Sequence, residues 1–506
     1  MQSKLARTPY LRDFPNTQVS RHMQKTKPTN SSRRKFLTTA ATAAAGFMIV
    51  PRHVLGGKGY TAPSDTVQLA AIGSGGKGKG TINNIREKGS NATFVALCDV
   101  DDKMAADARG WYPNASYHRD FRKMLDERGS DIDGVVISTP DHTHAIAGLA
   151  SMQLGKHVYI EKPLAHSIAE VRALTEMAKN NPKLITQMGN QGASGEGIRR
   201  TQEIYQAGLI GDVHTIRAWT NRPIWPQGGV LPQGTDPIPD HFDWNLWLGP
   251  AAMRPHNDAY HPFAWRGYWD FGTGALGDMG CHIIDTPFYI LNLGYPTSAE
   301  ASVAQVFTQN WQPDYNPDTC PMASSITMEF PARPNTTTGQ GNHPPVKLHW
   351  TDGGILPERP DELESGEQMG EWGGGIILEG TRGKLMADTY GNNPRLLPLS
   401  LNDNIEVAKS LPRVETFHEQ DWINGILEGY QPSSHLLKAG PLTETILMGN
   451  LAVRGYNHRY PAPTADKPEA YAVPGRTRLE WDGAGMRVTN VDEMNEFVAN
   501  RKVRAF

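Results

Sequence analysis

Residues 67–78, VQLAAIGSGGKG, decide the fold of this 506-residue chain. The apolar run over residues 67–72 has the length and composition of a buried parallel strand. It leads straight into a G-x-G-x-x-G motif, and residues 79–88 then have a helical pattern. In such a turn one glycine permits a tight bend, one lets the backbone approach a pyrophosphate, and one lets the helix pack on the strand. The candidate cofactor-binding glycines are Gly73, Gly75, Gly76 and Gly78.

An acidic residue at a suitable distance strengthens this interpretation. The apolar run over residues 93–98 ends in Asp99, which lies 21 residues after Gly78. A carboxylate at about this spacing binds the adenosine ribose hydroxyls of a dinucleotide. Because a carboxylate repels a 2′-phosphate, and Asp101 and Asp102 add negative charge, the sequence predicts NAD rather than NADP as the cofactor. The alternative is a glycine-rich turn followed by a solvated aspartate.

The same alternation of strands and helices continues to about residue 190. Strand-like runs occupy residues 133–138, 157–160 and 184–188, with helical stretches between them. This pattern predicts an α/β fold with a doubly wound parallel sheet, in which ligands bind beyond the carboxyl ends of the strands. Polar clusters follow two of those strands, and they supply further candidate cofactor-binding residues: Thr139, Pro140, His144, Glu161 and Lys162. An ion pair with Glu161 is the structural alternative for Lys162.

The second half of the chain has strand-like runs without regular helices between them, which favours an antiparallel sheet. Among them lies GALGDMGCHIID, residues 274–285. On a helix Asp278, His282 and Asp285 would share one face, because they are spaced i, i+4 and i+7. Asp278 could instead cap a helix, and His282 could be a satisfied buried histidine. A divalent metal on these side chains is a further alternative, but the sequence predicts no metal site.

Four ordered motifs resemble the Gfo/Idh/MocA oxidoreductases over roughly residues 65–460: the glycine motif, STPDHTH (138–144), YIEKPLA (159–165) and GDMGCHIID (277–285). The resemblance implies a Rossmann domain followed by an α/β domain with an open, mostly antiparallel sheet. It also implies that Lys162 binds a substrate hydroxyl and assists proton transfer, before a Lys–Pro bond that is often cis. By the same resemblance His282 is the general acid/base, and Asp278 orients or binds substrate.

Aromatic and polar residues upstream of this segment favour a carbohydrate or polyol substrate. Aromatic faces stack on the apolar faces of sugars, while arginine and aspartate bind pairs of hydroxyls. The candidate substrate-binding residues are Arg266, Trp269 and Asp285. For any single tryptophan, packing beneath a long loop is an equal alternative.

The N-terminal residues differ in composition from the rest. Residues 1–60 hold 11 Lys and Arg against one acid, which leaves 39 basic and 52 acidic residues, a net charge of −13, on the remainder. A body this acidic disfavours nucleic-acid binding. Ser-Arg-Arg-Lys-Phe-Leu at 32–37 precedes a weakly apolar run too short to span a bilayer, which predicts a twin-arginine export signal and a periplasmic or envelope location. A basic tail with a chance Arg-Arg pair is the alternative.

The predicted organisation is a leader (1–60), an NAD-binding Rossmann domain (61–192), a substrate-binding α/β domain (193–460) and an extension (461–506). Mean hydropathy of −0.49 excludes a polytopic membrane protein. Three widely spaced cysteines give no disulfide framework. An open sheet would expose a large face, so we expect a homo-oligomer.

Three functions fit these observations. The first is an exported NAD(P)-dependent oxidoreductase that transfers hydride from a sugar, polyol or glycoside hydroxyl to a tightly bound cofactor. The second is a glycosidase or lyase in which bound NAD transiently oxidises the sugar and is then restored. Export supports this alternative, because no ready pool recycles free NADH outside the cytoplasm. This chain lacks the His-Gly-Leu-Gly segment of the best-known NAD-using glycosidases, which favours the first. The third is a non-catalytic sugar-binding protein, which Lys162, Asp278 and His282 together disfavour.

Overall fold

The computed structural model describes residues 66–335, 341–499, 504 and 506, so the predicted export signal lies outside the described residues. The run that begins the sheet is a strand as predicted, and it is almost fully buried. Six strands form the first sheet: β1 (Val67–Ile72), β2 (Ala92–Cys98), β3 (Ser116–His118), β4 (Gly134–Ile137), β5 (His157–Ile160) and β6 (Thr186–Met188). All neighbours pair in parallel, in the order β3-β2-β1-β4-β5-β6. The predicted doubly wound α/β fold is confirmed.

The helices of this half cover both faces of the sheet, as parallel strands require. They are α1 (Gly76–Glu87), α2 (Ala106–Trp111), α3 (Phe121–Arg128), α4 (Asp141–Gln153) and α5 (Ile168–Asn180). The chain order reverses between β1 and β4, and open α/β sheets bind ligands in the crevice at such a point. The glycine motif after β1 and the polar cluster after β4 both lie at this crevice.

The second sheet is mixed: one pair of neighbouring strands, residues 213–220 and 346–351, is parallel, and the other pairs are antiparallel. The predicted mostly antiparallel sheet is confirmed. Its strands, in spatial order, are β15 (Arg395–Leu397), β14 (Lys384–Asp388), β13 (Gly374–Gly380), β7 (Val213–Thr220), β12 (Val346–Thr351), β9 (Ser324–Phe330), β8 (Ser298–Val303), β18 (Leu479–Asp482) and β19 (Arg487–Val488). Two short ladders lie apart from it: β10 (Arg333–Pro334) with β11 (Asn342–His343), and β16 (Tyr460–Pro461) with β17 (Tyr471–Ala472).

The second half contributes six α-helices to the described residues. They are α6 (Glu196–Gln206), α7 (Trp244–Leu248), α8 (Gly274–Ile283), α9 (Asp285–Ile290), α10 (His418–Glu428) and α11 (Leu436–Asn457). Helix α11 packs against α5 of the first sheet, against α8, and against β8 and β9 of the second. A single apolar core therefore runs through both halves.

Helix α10 packs on the first sheet, although it follows the last strand of that sheet by more than 200 residues in the sequence. Its Trp422 is fully buried beside Leu69 and Tyr159, and the indole N–H donates a hydrogen bond to the carbonyl oxygen of Ile185 at 3.3 Å. A side chain at Gly134 would come within 2.9 Å of the Trp422 ring. The glycine at the start of β4 therefore makes room for this indole.

Residues 479–488, close to the C-terminus, extend the second sheet, since β18 pairs with β8 and with β19. Of the helices in the described residues, none is both long and apolar enough to cross a bilayer.

Candidate active site

A cavity of about 610 Å³ lies where the crevice of the first sheet meets helix α8 and the loops of the second. Its walls contain most of the residues predicted from the sequence: Gly73, Gly75, Gly76, Asp99, Thr139, Pro140, Glu161, Lys162, Arg266, Asp278 and His282. Side chains from the two halves, more than 100 residues apart in sequence, therefore face one space.

The glycine motif is shaped so that no side chain fits at its key positions. Gly73 has φ of +82°, in the left-handed region, and a Cβ there would lie 2.7 Å from the carbonyl oxygen of Ser138. At Gly78 a Cβ would lie 1.8 Å from the carbonyl oxygen of Gly73. Helix α1 begins at Gly76 without a side-chain cap. Its first N–H groups and its positive dipole end are thus available to a pyrophosphate, which fits a dinucleotide cofactor.

Asp99 stands beside this motif at the end of β2. Its carboxylate accepts the backbone N–H of Gly75 at 2.8 Å and that of Asp101 at 3.0 Å. Burial outweighs these bonds and raises the pKa of Asp99 to about 6. A carboxylate so fixed can accept the two hydroxyls of a ribose.

The two aspartates that follow Asp99 were expected to add negative charge, but the structure shows Asp102 in an ion pair and Asp101 hydrogen-bonded to two histidines. Asp101 accepts hydrogen bonds from His241 at 3.0 Å and His261 at 3.1 Å, and Asp102 is bound by Arg119. Arg119 therefore balances the charge of Asp102, and of these three aspartates Asp99 is the one that lines the cavity.

Lys162 and Asp278 meet at the centre of the cavity. The Nζ of Lys162, just beyond β5, donates to the carbonyl oxygen of Asp278 at 2.7 Å and to its Oδ1 at 2.8 Å. The Nε of Arg266 also lies 3.3 Å from Oδ1. Burial raises the pKa of Asp278, but the charges of Lys162 and Arg266 offset this and lower it to about 2. The peptide bond between Lys162 and Pro163 is cis, as the resemblance implied.

His282 lies one turn after Asp278 on α8 and is buried. Its Nδ1 has no hydrogen-bond partner among the described residues. Burial, with a further contribution from the charge of Lys162, lowers the pKa of His282 well below its usual value. The ring is therefore neutral near pH 7 and able to accept a proton.

Besides Gly78, which is covered by the turn itself, three predicted site residues do not line the cavity. Trp269 is buried under the loops, where the guanidinium of Arg454 lies 5.7 Å from its ring, so packing is its observed role. Helix α8 ends at Ile283, and Asp285, which begins α9, accepts a hydrogen bond from Asn190 at 2.9 Å in the interior. Burial raises the pKa of Asp285 to about 7. The spacing i+7 thus does not bring Asp285 to the site.

His144 is the third of these residues. Its two ring nitrogens lie 2.8 Å from the carbonyl oxygens of Pro163 and Thr139. It therefore links the loop that carries Lys162 to the loop that carries Thr139, and it positions these two residues of the cavity wall.

The structure also brings in residues that the sequence analysis did not single out: Lys77, Arg119, Arg222, Phe263 and Tyr390. The Tyr390 ring packs edge-on against the His282 ring, with 4.8 Å between their centroids. The backbone of Tyr390 has a φ of +63°, in the left-handed region. No periodicity marks these positions, because each lies in a loop or just after one. Within the described part of the chain, no group of three or more His, Cys, Asp or Glu is placed to hold a metal ion.

The fold and the site define a two-domain nucleotide-binding α/β protein. Its parallel sheet has a glycine-lined crevice, and Lys162, Asp278 and His282, from the two halves of the chain, complete the site. Residues 67–189 match the model of the oxidoreductase family with an NAD-binding Rossmann fold, and residues 210–317 match the C-terminal α/β domain of that family. The chain therefore contains both domains of the Gfo/Idh/MocA oxidoreductases, and the first of them is the NAD-binding domain.

Curated relatives match over less than half of this chain. A levoglucosan dehydrogenase of Pseudarthrobacter phenanthrenivorans is 24% identical over 43% of this chain and 46% of its own length. A glycosyl hydrolase family 109 protein of Shewanella pealeana is 28% identical over 38% of this chain and 47% of its own length. The chain thus spans about half the length of the curated relatives it matches.

Similarity of fold extends further. The WlbA dehydrogenase from Bordetella pertussis, solved in complex with NADH and UDP-GlcNAcA, superposes with a TM-score of 0.52 at 15% identity. The match covers 79% of this chain and 99% of that one. At this identity the likeness concerns the fold alone.

Proposed function

We propose that this protein oxidises a hydroxyl-bearing carbon of a sugar, polyol or glycoside. The observation that carries the proposal is the contact between Lys162 and Asp278 beside the neutral His282, in the cavity that also contains the glycine motif. The relationship to a levoglucosan dehydrogenase supports a carbohydrate substrate. NAD, when bound on the glycine motif, supplies the hydride acceptor.

The chain's own residues supply the proton chemistry. The ammonium group of Lys162 holds the substrate oxygen and stabilises negative charge as its proton leaves. His282 is unprotonated at rest and takes that proton. Asp278 remains ionised, because its pKa is about 2, and so fixes the lysine and balances its charge. Tyr390 packs against the imidazole and restricts its orientation.

The test is a panel of sugars, polyols and glycosides added to purified protein loaded with NAD, with the absorbance of NADH as the readout. Lasting, substrate-dependent reduction is the expected result. If no member of a broad panel yields either NADH or a changed sugar, the proposed oxidation is wrong.

A redox-neutral glycosidase or lyase is the second candidate, and the relationship to glycosyl hydrolase family 109 proteins favours it. Lys162 and His282 would begin that reaction with the same proton removal. Release of the aglycone from a glycoside without lasting NADH distinguishes it from the dehydrogenase.

Export through the twin-arginine pathway and assembly into a homo-oligomer belong to the same proposal. The Ser-Arg-Arg-Lys-Phe-Leu segment at 32–37 supports the first. Fractionation of cells that make the full chain, followed by light scattering of the purified protein, tests both.

Gly78→Ala is expected to weaken NAD binding by about 10- to 100-fold, because overpacking of this kind costs about 1–3 kcal/mol. The new Cβ would lie 1.8 Å from a backbone oxygen of the motif itself, so the turn must shift. Calorimetric titration with NAD measures the loss. Gly80→Ala on the same helix is the matched control, since a Cβ there meets nothing within 4 Å. Equal affinity in the two variants would contradict the assigned role of Gly78.

NAD affinity is expected to rise about tenfold between about pH 5 and about pH 7.5, since hydrogen bonds to charged groups are stronger than those to neutral ones. The pKa of Asp99 is about 6, so its carboxyl group loses its proton in this interval and becomes the better acceptor for ribose hydroxyls. Titrations at several pH values measure the slope. Asp99→Asn should flatten it, whereas Asp102→Asn should keep it. An unchanged slope in Asp99→Asn would show that another group titrates.

A further inference from the structure

The end of the cavity formed by the second half of the chain carries an excess of positive charge. Three cationic groups surround the carboxylate of Asp278: the Nζ of Lys162 at 2.8 Å, the Nε of Arg266 at 3.3 Å and the Nε of Arg222 at 3.9 Å. Of the other carboxylates in the wall, Glu161 lies 3.4 Å from the Nζ of Lys77, and Asp141 is buried at the start of α4, where it accepts the hydroxyl of Thr273 at 2.7 Å. One carboxylate thus faces three cations.

Both arginines are held in place while part of each guanidinium remains free. The guanidinium of Arg266 lies 4.2 Å from the centroid of the Trp265 ring and 4.8 Å from that of Phe263. Its Nη1 donates to the carbonyl oxygen of Phe263 at 3.3 Å, and its Nη2 donates to no residue in the part of the chain that the structure describes. Aromatic packing fixes the plane of this group, so little side-chain entropy remains to be lost when a ligand binds.

Arg222 is arranged in a similar way. Its Nη1 is bound by the side-chain oxygen of Asn221, and its carbonyl oxygen accepts the N–H of Gly353 at 2.6 Å. Within the described residues its Nη2 has no hydrogen-bond partner, and the side chain is 21% exposed, the same fraction as that of Arg266. Both groups therefore line the cavity with unused donors.

Moving cationic side chains out of water raises their free energy, and only a partner of opposite charge offsets this desolvation penalty. A planar guanidinium is suited to bidentate binding of carboxylates and of phosphate or sulfate groups. We propose that the substrate carries an anionic group, a carboxylate as in a uronic acid or a sulfate ester, that binds Arg222 and Arg266. This inference rests on the proposed function, since Lys162 and His282 would act on a hydroxyl of the same molecule.

Equilibrium binding tests the inference without turnover. The probes are methyl β-D-glucopyranoside, methyl β-D-glucuronide and D-glucose 6-sulfate, with the corresponding galacto compounds, titrated into the NAD-loaded protein. We expect at least one anionic sugar to bind about 10- to 100-fold tighter than its neutral counterpart, the range for charge-assisted hydrogen bonds. Added salt should reduce the difference. A preference for the glucuronide or for the sulfate identifies the anion.

Equal affinity for neutral and anionic members of both series would overturn the inference. Anionic sugars that bind tightly but never yield NADH or a changed sugar would instead contradict the proposed function. The two failures are therefore distinguishable.

Substitution of the arginines locates the anion. In Arg222→Gln and in Arg266→Gln the ratio of anionic to neutral affinity should fall about tenfold. Arg266→Lys should keep part of it, because the charge remains while the planar fork is lost. Since the ratio is measured within one variant, partial misfolding cannot imitate the effect. Arg487→Gln is the matched control, because the Arg487 side chain is 66% exposed on β19 and lies outside the cavity. An unchanged ratio in both Gln variants would place the anion elsewhere.

Discussion

Lys162→Ala is expected to lower kcat by about 1,000-fold, the upper range for loss of one group that stabilises developing charge. The substitution removes the ammonium group that contacts Asp278 and that would hold the substrate oxygen. The glycine motif and Asp99 are untouched, so NAD should still bind. Single-turnover formation of NADH, with NAD content measured in parallel, gives both quantities.

Lys77→Ala is the matched control for this experiment. Lys77 lines the same cavity, but its side chain is 45% exposed and its Nζ lies 3.4 Å from Glu161 rather than at the Lys162 and Asp278 pair. We expect its effect on kcat to be far smaller. A Lys162→Ala variant that turned over at the rate of the parent enzyme would refute the assigned role.

His282→Ala is expected to lower kcat by about 100- to 10,000-fold, the range for removal of a general base. The ring is neutral because burial and Lys162 lower the pKa of His282 well below its usual value. In the parent enzyme we therefore expect no loss of kcat through histidine protonation down to about pH 6, the region where an unperturbed histidine would titrate. Rates measured across this interval with a saturating substrate check the expectation.

Added imidazole should restore part of the rate to His282→Ala, because the small base can enter the space left by the ring. His241→Ala is the control, since His241 binds Asp101 and is not part of the cavity wall. A rate that falls equally in the two variants, or a His282→Ala enzyme insensitive to imidazole, would argue against a base at this position.

The sequence was most informative where structure is local. The strand, the glycine turn and the helix after it are consecutive, so residues 67–78 specify them without help from the rest of the chain. Polar side chains that follow parallel strands must gather at one edge of the sheet, and Asp99, Thr139 and Glu161 do so. Their place in the cavity follows from topology alone.

Local pattern was insufficient where the chain bends or where distant loops converge. The shared helix face predicted for Asp278, His282 and Asp285 fails at the third residue, because α8 ends at Ile283. Trp269 was one of several aromatic residues in a loop, and nothing in its spacing distinguishes a ring that packs from one that faces a ligand. Arg222 comes to the site through a proline-rich segment without periodicity, so only the tertiary structure reveals it.

The indole of Trp422 has a consequence for biosynthesis. It completes the interior of the first sheet with a residue 237 positions after Ile185, to which it is hydrogen-bonded. A nascent chain of 200 residues contains every strand of that sheet but not α10, whose Trp422 completes the packing on one side of it. Domains synthesised first usually fold first. Here the first sheet lacks part of its interior until α10 has left the ribosome, so we expect NAD capture and closure of the substrate half to occur together, late in synthesis.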